Sequence, residues 1–339
     1  SIIMKQQCLN KLINKQDLPL KEAKVLMKEI LEGKLTSTQI AALLVALRMK
    51  GESVDEIVGF IKVMREHMQK ITTKGIVIDT CGTGGDRRGT FNISTASAFV
   101  VTGAGVHVAK HGNRSASSLC GSADVLEALG ININLSPEQA EKLLQKTGFT
   151  FLFAPLYHPS MQYAGPVRKE LKIRTVFNFL GPFVNPARVK RQIIGVADKN
   201  ITEKLALVAT QLHYEHLLII SSSDGLDEIS ISADTLLFEV KRKKIKKMII
   251  SPKDFGMKKG AKKELIGGNR QHNAKIIRNI LLGEKGPRRD IVILNSAAAI
   301  YVAGKVKSIK EGVLLAEESI DSGRAQKVLT QVIHYSHTV

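Results

Sequence analysis

Apolar residues in the first 70 positions recur every three or four residues, the spacing that places side chains on one face of an α-helix. Two such runs are Ile40, Leu43, Leu44 and Leu47, and Ile57, Phe60, Ile61 and Met64. Each run follows a pair with capping-box spacing, Thr36 with Gln39 and Ser53 with Glu56. No strand pattern precedes Gly75, so this part of the chain is predicted to be helical.

After Gly75 the pattern changes to short apolar runs typical of buried strands. These runs are residues 76–79, 106–109, 149–153, 193–196, 217–220 and 291–294. Helical patterns separate most of them, and one helix is predicted to begin at Ser136 and end at Gly148. Strands that alternate with helices predict an α/β fold with a central mixed, mostly parallel sheet. Residues 229–250 are predicted to be antiparallel and to lie at an edge of this sheet.

Length and composition agree with two globular domains. A chain of 339 residues is longer than one small domain, and a hydrophobic content of 44% provides a core. The three cysteines form no CxxC pair, which favours a reducing cytoplasm. No apolar signal segment is recognised, and the uncharged stretch 89–109 is too polar for a membrane span.

The net charge of +19 allows two interpretations, a nucleic-acid-binding protein or an enzyme for anionic substrates. The densest basic run, Lys241–Lys244 with Lys246 and Lys247, lies between two apolar runs. This pattern predicts a hairpin with a charged tip. A solvated hairpin is favoured over a polyanion site, which stays open as the second interpretation.

The first motif with chemical meaning is the glycine-rich segment 79–86, which continues through Gly89 to Thr95. A predicted strand ends there and a helix begins. Glycines let backbone N–H groups approach an anion, and the N-terminus of the helix adds partial positive charge. Arg87 stands where a GxGxxG motif needs glycine, and no Lys-Ser/Thr follows. The segment therefore predicts a phosphate or pyrophosphate cradle of another kind.

The second motif is the segment 110–118, which follows the second predicted strand and combines Lys110, Arg114 and three serines. This density of donors at a strand end suits a phosphate-rich ligand. The third motif, Asp227–Glu228, follows the strand 217–220. Adjacent carboxylates at a strand end suit Mg²⁺, which prefers hard oxygen ligands together with substrate phosphates.

Together, these motifs resemble the signature set of the anthranilate phosphoribosyltransferases. The resemblance rests on residues 82–86, 92–95 and 110–114 and on Asp227–Glu228, which occur in the order of that family. The block 174–186, the helical start and residues 295–299 match as well. No single block is specific, but their joint occurrence is, and it covers nearly the whole chain.

The resemblance implies a nucleoside phosphorylase/phosphoribosyltransferase-type fold. Its helical domain would be residues 1–72, joined by part of 173–190, and its α/β domain residues 73–339. The family implies a cytoplasmic homodimer formed through the helical domains. It also implies transfer of the phosphoribosyl group of phosphoribosyl pyrophosphate to anthranilate, without a side-chain acid or base.

The same resemblance assigns site residues. Phosphoribosyl pyrophosphate would be held by Gly82, Gly85, Asp86, Thr90, Asn92, Ile93, Ser94, Thr95, Lys110, His111, Gly112, Asn113, Arg114, Ser115, Ala116, Ser117, Ser118 and Ser122. Anthranilate would contact Gly82, Asn113 and Arg168, the last because a guanidinium pairs with a carboxylate in bidentate fashion. His111, His158 and Tyr163 are weaker candidates for its approach path. Two magnesium ions would meet Ser94, Asp227 and Glu228.

Two departures from the family and two alternatives remain. Arg87 and Arg88 stand where the family often has smaller residues, and residues 267–272 lack the acids common in that region. A pyrimidine nucleoside phosphorylase is disfavoured by the pair Asn113 and Arg168. A nucleic-acid-binding protein is favoured by the charge and disfavoured by the intact Asp227–Glu228 pair. No membrane partner is expected.

Overall fold

A computed structural model of the chain describes residues 2–86, 88–116 and 119–339. Its α-helices are α1 (Ile2–Ile13), α2 (Leu20–Leu31), α3 (Ser37–Lys50), α4 (Val54–His67), α5 (Ile93–Gly103), α6 (Ser122–Ala128), α7 (Pro137–Thr147), α8 (Ala154–Tyr157), α9 (Gly165–Leu171), α10 (Phe177–Leu180), α11 (Thr202–Thr210), α12 (Arg270–Leu281), α13 (Pro287–Val302), α14 (Ile309–Asp321) and α15 (Arg324–Ser336). Its strands are β1 (Val77–Gly82), β2 (His107–Gly112), β3 (Phe149–Phe153), β4 (Arg191–Gly195), β5 (His216–Ser222), β6 (Thr235–Lys241) and β7 (Lys244–Ile250).

The chain divides into two compact units. The helical unit comprises residues 1–69 and 157–186, and the α/β unit comprises residues 70–156 and 187–339. The segment that returns to the helical unit begins at Tyr157, earlier than the 173–190 block that the sequence suggested. Within that unit the backbone N–H of Gln69 donates to the carbonyl oxygen of Tyr157 at 2.8 Å, where the two segments meet.

The sheet of the α/β unit has the order β3-β2-β1-β4-β5-β6-β7 over the described residues. The pairs from β3 to β5 are parallel, and β6 and β7 are antiparallel. The fold class predicted from the sequence, a mixed and mostly parallel sheet, is confirmed. The strand order reverses between β1 and β4, and the carboxyl ends of strands at such a switch point are where α/β sheets bind ligands.

One predicted strand is wrong. Residues 291–294 lie inside α13, which begins with Pro287 at its first turn and is buried along most of its length. A four-residue apolar run does not distinguish a buried strand from a buried helix, because both hide every side chain. Pro287 could have distinguished the two, because proline is common at the first position of a helix.

The basic hairpin is confirmed as the antiparallel edge of the sheet. β6 and β7 are joined by Arg242 and Lys243, which both have positive φ angles, as a two-residue hairpin turn requires. The side chains of Lys241–Lys247 are exposed. Lysines on an edge strand hinder pairing with another chain, which gives this run a structural role. Within the described residues, no helix is long and apolar enough to cross a membrane.

Both predicted capping boxes of the helical unit are present, and one belongs to a buried ion cluster. Ser53 and Glu56 close the box at the start of α4. The Glu56 carboxylate is fully buried and accepts from the backbone N–H groups of Leu18 and Ser53, each at 2.8 Å. It also pairs with Lys50 Nζ at 2.8 Å. Glu56 therefore fixes α4 to the end of α3 and to the loop that precedes α2.

Replacing Glu56 by Gln should lower the free energy of unfolding by about 1–3 kcal/mol, because the buried Lys50 would lose one of its two carboxylate partners and keep only the exposed Asp17. The amide would also direct a donor at a backbone N–H group. Glu66→Gln is the matched control, because Glu66 is 59% exposed and lies 3.9 Å from Lys24. Urea unfolding measures both variants. Equal midpoints for the two would contradict this role.

Candidate functional site

The segment with Asp227 and Glu228 crosses the carboxyl ends of β1 and β4. A Cβ atom at Gly82 would overlap the carboxyl group of Asp227, and one at Gly195 would overlap its backbone oxygen. Only glycine at these two strand ends allows so close an approach. The backbone N–H of Gly84 donates to Asp227 Oδ2 at 3.0 Å. The predicted metal ligands are therefore placed at the switch point of the sheet.

Three carboxyl groups share this place. Burial raises the pKa of Asp227 to about 7, and the charge of Asp86 adds to the shift. Burial and then the charge of Asp227 raise the pKa of Glu228 well above its ordinary value, against the opposing charge of Lys110. The backbone N–H of Ser94 donates to Glu228. The site thus gathers acidic groups whose ionised forms burial disfavours and a bound cation would stabilise.

Lys110 is the buried cation beside these acids. Its side chain comes from β2 and is 2% exposed. Its Nζ donates to the carbonyl oxygen of Thr80 at 2.8 Å and to Ser94 Oγ at 3.1 Å. A fixed ammonium at the end of β1 also favours an anion in the crevice.

The donor set fits Mg²⁺ better than a closed metal cage. Among the described residues, no group of three or more His, Cys, Asp or Glu side chains is arranged to hold a metal ion. Mg²⁺ binds through one or two carboxylates and completes its shell with water and phosphate oxygens. Asp227, Glu228 and the Ser94 hydroxyl supply hard oxygen atoms for this kind of site.

The first phosphate segment, residues 79–95, ends in the first turn of α5. Ile93 and Thr95 are buried, so we expect only their backbone to face a ligand. Thr95 Oγ1 is a buried atom without a hydrogen-bond partner among the described residues. Asn92 precedes the helix without capping it, and its Nδ2 donates to the carbonyl oxygen of Cys120 at 3.1 Å. The helix start is therefore left open toward an anion.

The second phosphate segment (residues 110–118, of which the structure describes 110–116) begins in β2 and continues beyond its carboxyl end. The backbone oxygen of Asn113 accepts from the N–H of Ala123 at 3.2 Å and from Ser122 Oγ at 3.4 Å. The Arg114 side chain lies over the Phe153 ring, 5.6 Å from its centroid, and is engaged by carboxylates of α6. Ser117, Ser118 and Arg87, which the sequence also singled out, lie outside the described residues.

The remaining predicted residues belong to the helical unit. Arg168 in α9 lies over the Phe177 ring, 5.4 Å from its centroid. Burial lowers its pKa, and no carboxylate in the described part of the chain contributes to the shift. Burial also lowers the pKa of His158 to about 4, although a hydrogen bond with the Val184 backbone opposes it. Tyr163 is 41% exposed, and its ring packs against Gly33.

Sequence reasoning missed several residues that support the site. Asp86 was expected to bind the substrate, but its part in the acidic cluster was not foreseen. Asn273 of α12 and two acids of α6, Asp124 and Glu127, also contact the phosphate segments. Asp124 and Glu127 are three residues apart and follow a basic segment. This spacing could have indicated that both acids lie on one face of a helix and pair with Arg114.

The cysteines offer no nucleophile. Burial and the charge of Asp79 raise the pKa of Cys81 well above its ordinary value. Burial and the charge of Asp124 raise the pKa of Cys120 to about 11. Both thiols therefore stay protonated near neutral pH, as expected of cysteines that fill space.

Two family models match the chain. The model described as glycosyl transferase family, a/b domain, matches residues 74–326. The model described as glycosyl transferase family, helical bundle domain, matches residues 6–68. Together they cover most of both compact units.

Among curated proteins, the anthranilate phosphoribosyltransferase of Ruminiclostridium cellulolyticum is 48% identical over 335 residues, with 99% of this chain and 98% of that protein covered. The enzyme of the same name from Methanobrevibacter smithii is 49% identical over 335 residues, with 99% and 100% covered. At this identity, and over nearly the full length of both chains, the similarity is one of sequence as well as of fold.

Solved structures of similar proteins have the same fold as this chain. The anthranilate phosphoribosyltransferase of Thermus thermophilus superposes with a TM-score of 0.92 at 38% identity, covering 97% of this chain and 99% of that one. The Saccharomyces cerevisiae enzyme, in complex with phosphoribosyl pyrophosphate and magnesium, gives 0.89 at 27% identity, with 100% and 99% covered. With its signature segments gathered at the switch point of the sheet, this chain belongs to the anthranilate phosphoribosyltransferase family.

Proposed function

We propose that this protein transfers the 5-phosphoribosyl group of phosphoribosyl pyrophosphate to the amine of anthranilate, releasing pyrophosphate, in tryptophan biosynthesis. The observation that carries the proposal is the meeting of Asp227 and Glu228 with the glycine-rich segment at the switch point of the sheet. This site combines oxygen ligands for a cation with backbone donors for phosphates. Full-length relatives of the same name support the same reaction.

The chain supplies binding and electrostatic stabilisation for this reaction. The bond between ribose C1 and the pyrophosphate oxygen breaks as positive charge develops on the sugar. The helix start at Ile93 and the cation Lys110 would stabilise the negative charge that collects on the leaving pyrophosphate. The anthranilate nitrogen then bonds to C1, and its proton becomes acidic and passes to water or to the departing pyrophosphate. No side-chain base is needed.

Asp227, Glu228 and Ser94 are the residues that would hold Mg²⁺. When bound, the metal would neutralise pyrophosphate charge and act as a Lewis acid. A divalent ion would also offset the mutual repulsion of the carboxylates and keep them ionised near neutral pH. Two ions are proposed, which agrees with the two adjacent acids.

Arg168 is proposed to bind the carboxylate of anthranilate, with Gly82 and Asn113 as further contacts. Burial lowers the pKa of the Arg168 guanidinium, so an incoming carboxylate would meet a poorly solvated cation. His111, His158 and Tyr163 stay candidates for the approach path. The neutral state of His158 suits an aromatic acid, which it would neither attract nor repel strongly.

We further propose a cytoplasmic homodimer formed through the helical units. The absence of a disulfide among the described cysteines agrees with a reducing compartment. Sedimentation equilibrium tests the dimer directly. A single species with the mass of one chain at micromolar concentration would contradict it.

The experiment that tests the function compares two reactions of the fold. The purified protein is incubated with Mg²⁺, phosphoribosyl pyrophosphate and anthranilate, and separately with uridine or thymidine and inorganic phosphate. We expect loss of anthranilate fluorescence in the first mixture and no phosphorolysis in the second. Phosphorolysis of a nucleoside without anthranilate consumption would favour a pyrimidine nucleoside phosphorylase.

Neutralising the basic hairpin should leave turnover nearly unchanged. Replacing Lys243, Lys244, Lys246 and Lys247 by Gln removes exposed charges, and exposed substitutions usually change free energies by no more than about 0.5 kcal/mol. Duplex DNA should bind weakly, with a Kd of roughly 10⁻⁴ to 10⁻⁶ M that rises steeply with salt. Tight, sequence-selective binding near physiological salt would instead support the nucleic-acid interpretation.

A further inference from the structure

The first turn of α12 contacts the first phosphate segment directly and is connected to the second through Glu127 of α6. Arg270 and Asn273 are three residues apart in this turn, so their side chains lie on the same side of the helix. Neither residue belongs to the signature segments. Arg270 lies in the region where this chain lacks the acids that are common in the family.

Asn273 supports the first segment. Its side chain is 2% exposed, and its Nδ2 donates to Asn92 Oδ1 at 3.0 Å. Its own Oδ1 accepts from the backbone N–H of Gly268 at 2.8 Å. Since Asn92 donates in turn to the carbonyl oxygen of Cys120, this chain of amides also reaches Cys120, two positions beyond the second segment. The orientation of Asn92 is therefore set by Asn273.

Arg270 supports the second segment through an ion-pair chain. Its guanidinium lies 3.2 Å from Glu127 Oε1. Both oxygens of Glu127 also accept from Arg114, at 2.9 and 3.1 Å, and Asp124 Oδ1 accepts from Arg114 at 3.0 Å. Glu127 is thus shared between a cation of α12 and the arginine of the loop.

Asp124 closes the loop to which Arg114 belongs. Its Oδ2 accepts from the backbone N–H groups of Ser115 at 3.2 Å and Gly121 at 2.9 Å. One carboxylate therefore connects Ser115 with Gly121 and also holds the Arg114 side chain. Arg114 acts in this arrangement as an internal connection between the loop and α6.

We propose that the first turn of α12 positions the two phosphate segments relative to each other, Asn273 through Asn92 and Arg270 through Glu127 and Arg114. This inference rests on the proposed function, because it assigns both segments to phosphoribosyl pyrophosphate. Arg270 and Asn273 are positioning residues for the sugar substrate. They should affect the binding of the sugar substrate more than that of anthranilate, for which Arg168 is the proposed carboxylate partner.

The half-exposed ion pair gives the cleaner test, because its loss should not prevent folding. Arg270→Ala should raise the KM for phosphoribosyl pyrophosphate about two- to fivefold, the scale of one surface ion pair, and should raise the KM for anthranilate less, because Arg168 lies outside this connection. Arg270→Lys should restore part of the loss. Lys275→Ala is the matched control, since it removes an exposed charge from the same helix, and it should have no effect.

The route through Glu127 is tested by a double variant. Glu127→Gln should raise the same KM, and adding Arg270→Ala should bring little further change, because both substitutions remove one connection. Asn273→Asp replaces a donor by an acceptor at a buried site and should raise the KM about tenfold or more. Equilibrium binding of phosphoribosyl pyrophosphate with Mg²⁺ should follow the same order.

Two results would overturn the proposal. One is an Arg270→Ala enzyme that matches Lys275→Ala in both KM values. The other is a double variant whose loss is the full product of the two single losses. The wild-type protein in the same assay separates this failure from failure of the proposed function, since an inactive wild type with anthranilate would refute the function itself.

Discussion

Asp227→Asn combined with Glu228→Gln should lower kcat by about 10²–10³-fold, the scale of losing one electrostatic element that acts on the transition state. The amides keep the size of the side chains but cannot offer anionic oxygens to Mg²⁺. Folding should not suffer, because the substitutions remove buried charges that burial and mutual repulsion disfavour in the free protein. Steady-state rates at saturating Mg²⁺ and both substrates measure the effect.

A control variant separates loss of the metal site from loss of charge in general. Asp234→Asn removes an exposed carboxylate from the same stretch of chain, shortly before β6, and should keep the wild-type rate. A thermal unfolding scan without Mg²⁺ should place the double variant at or above the wild type. A double variant that turns over at the wild-type rate would remove Asp227 and Glu228 from the mechanism.

Arg168→Ala should lower kcat/KM for anthranilate about 10- to 150-fold, which corresponds to roughly 1.5–3 kcal/mol for a charge-assisted pair. The change should appear mainly in the KM for anthranilate, because the sugar is proposed to bind through loops of the other unit. Aniline, which lacks the carboxylate, should be a poor acceptor for the wild type. It should be almost insensitive to Arg168→Ala, because the pairing is already absent.

This comparison is a double cycle between one residue and one group of the ligand. Lys169→Ala is the matched control, since Lys169 is the exposed neighbour of Arg168 in α9 and should leave both acceptors unaffected. If Arg168→Ala slowed aniline and anthranilate equally, Arg168 would act on the fold or on the sugar phosphate. The proposed acceptor site would then be wrong.

Local patterns predicted most of the fold. The capping boxes at Thr36 and Ser53, the strand Phe149–Phe153 and the basic hairpin are all present. Each of these features is formed by residues close together in sequence, so the spacing of residue types is enough to predict it. The error at 291–294 arose because α13 is buried on nearly all sides and has no polar face to reveal its period.

Part of the site was predictable because the carboxyl ends of parallel strands lie at the same edge of a sheet. The acids and the glycines were each predicted to follow a strand, and because β1, β4 and β5 are parallel neighbours, Asp227 after β5 lies against Gly82 at the end of β1. Contacts between distant segments left no such signal. Nothing in the sequence connects Asn273 with Asn92, 181 positions away. The resemblance placed part of 173–190 in the helical unit, but no local pattern indicates that the returning segment begins at Tyr157.

The most direct test of the central claim is the identity and stoichiometry of the products. Mass spectrometry of a reaction with phosphoribosyl pyrophosphate, anthranilate and Mg²⁺ should detect N-(5-phosphoribosyl)anthranilate, with one pyrophosphate formed per anthranilate consumed. Chelation of Mg²⁺ should stop the formation of both N-(5-phosphoribosyl)anthranilate and pyrophosphate. Pyrophosphate release at the same rate without anthranilate, or consumption of anthranilate without this product, would contradict the account.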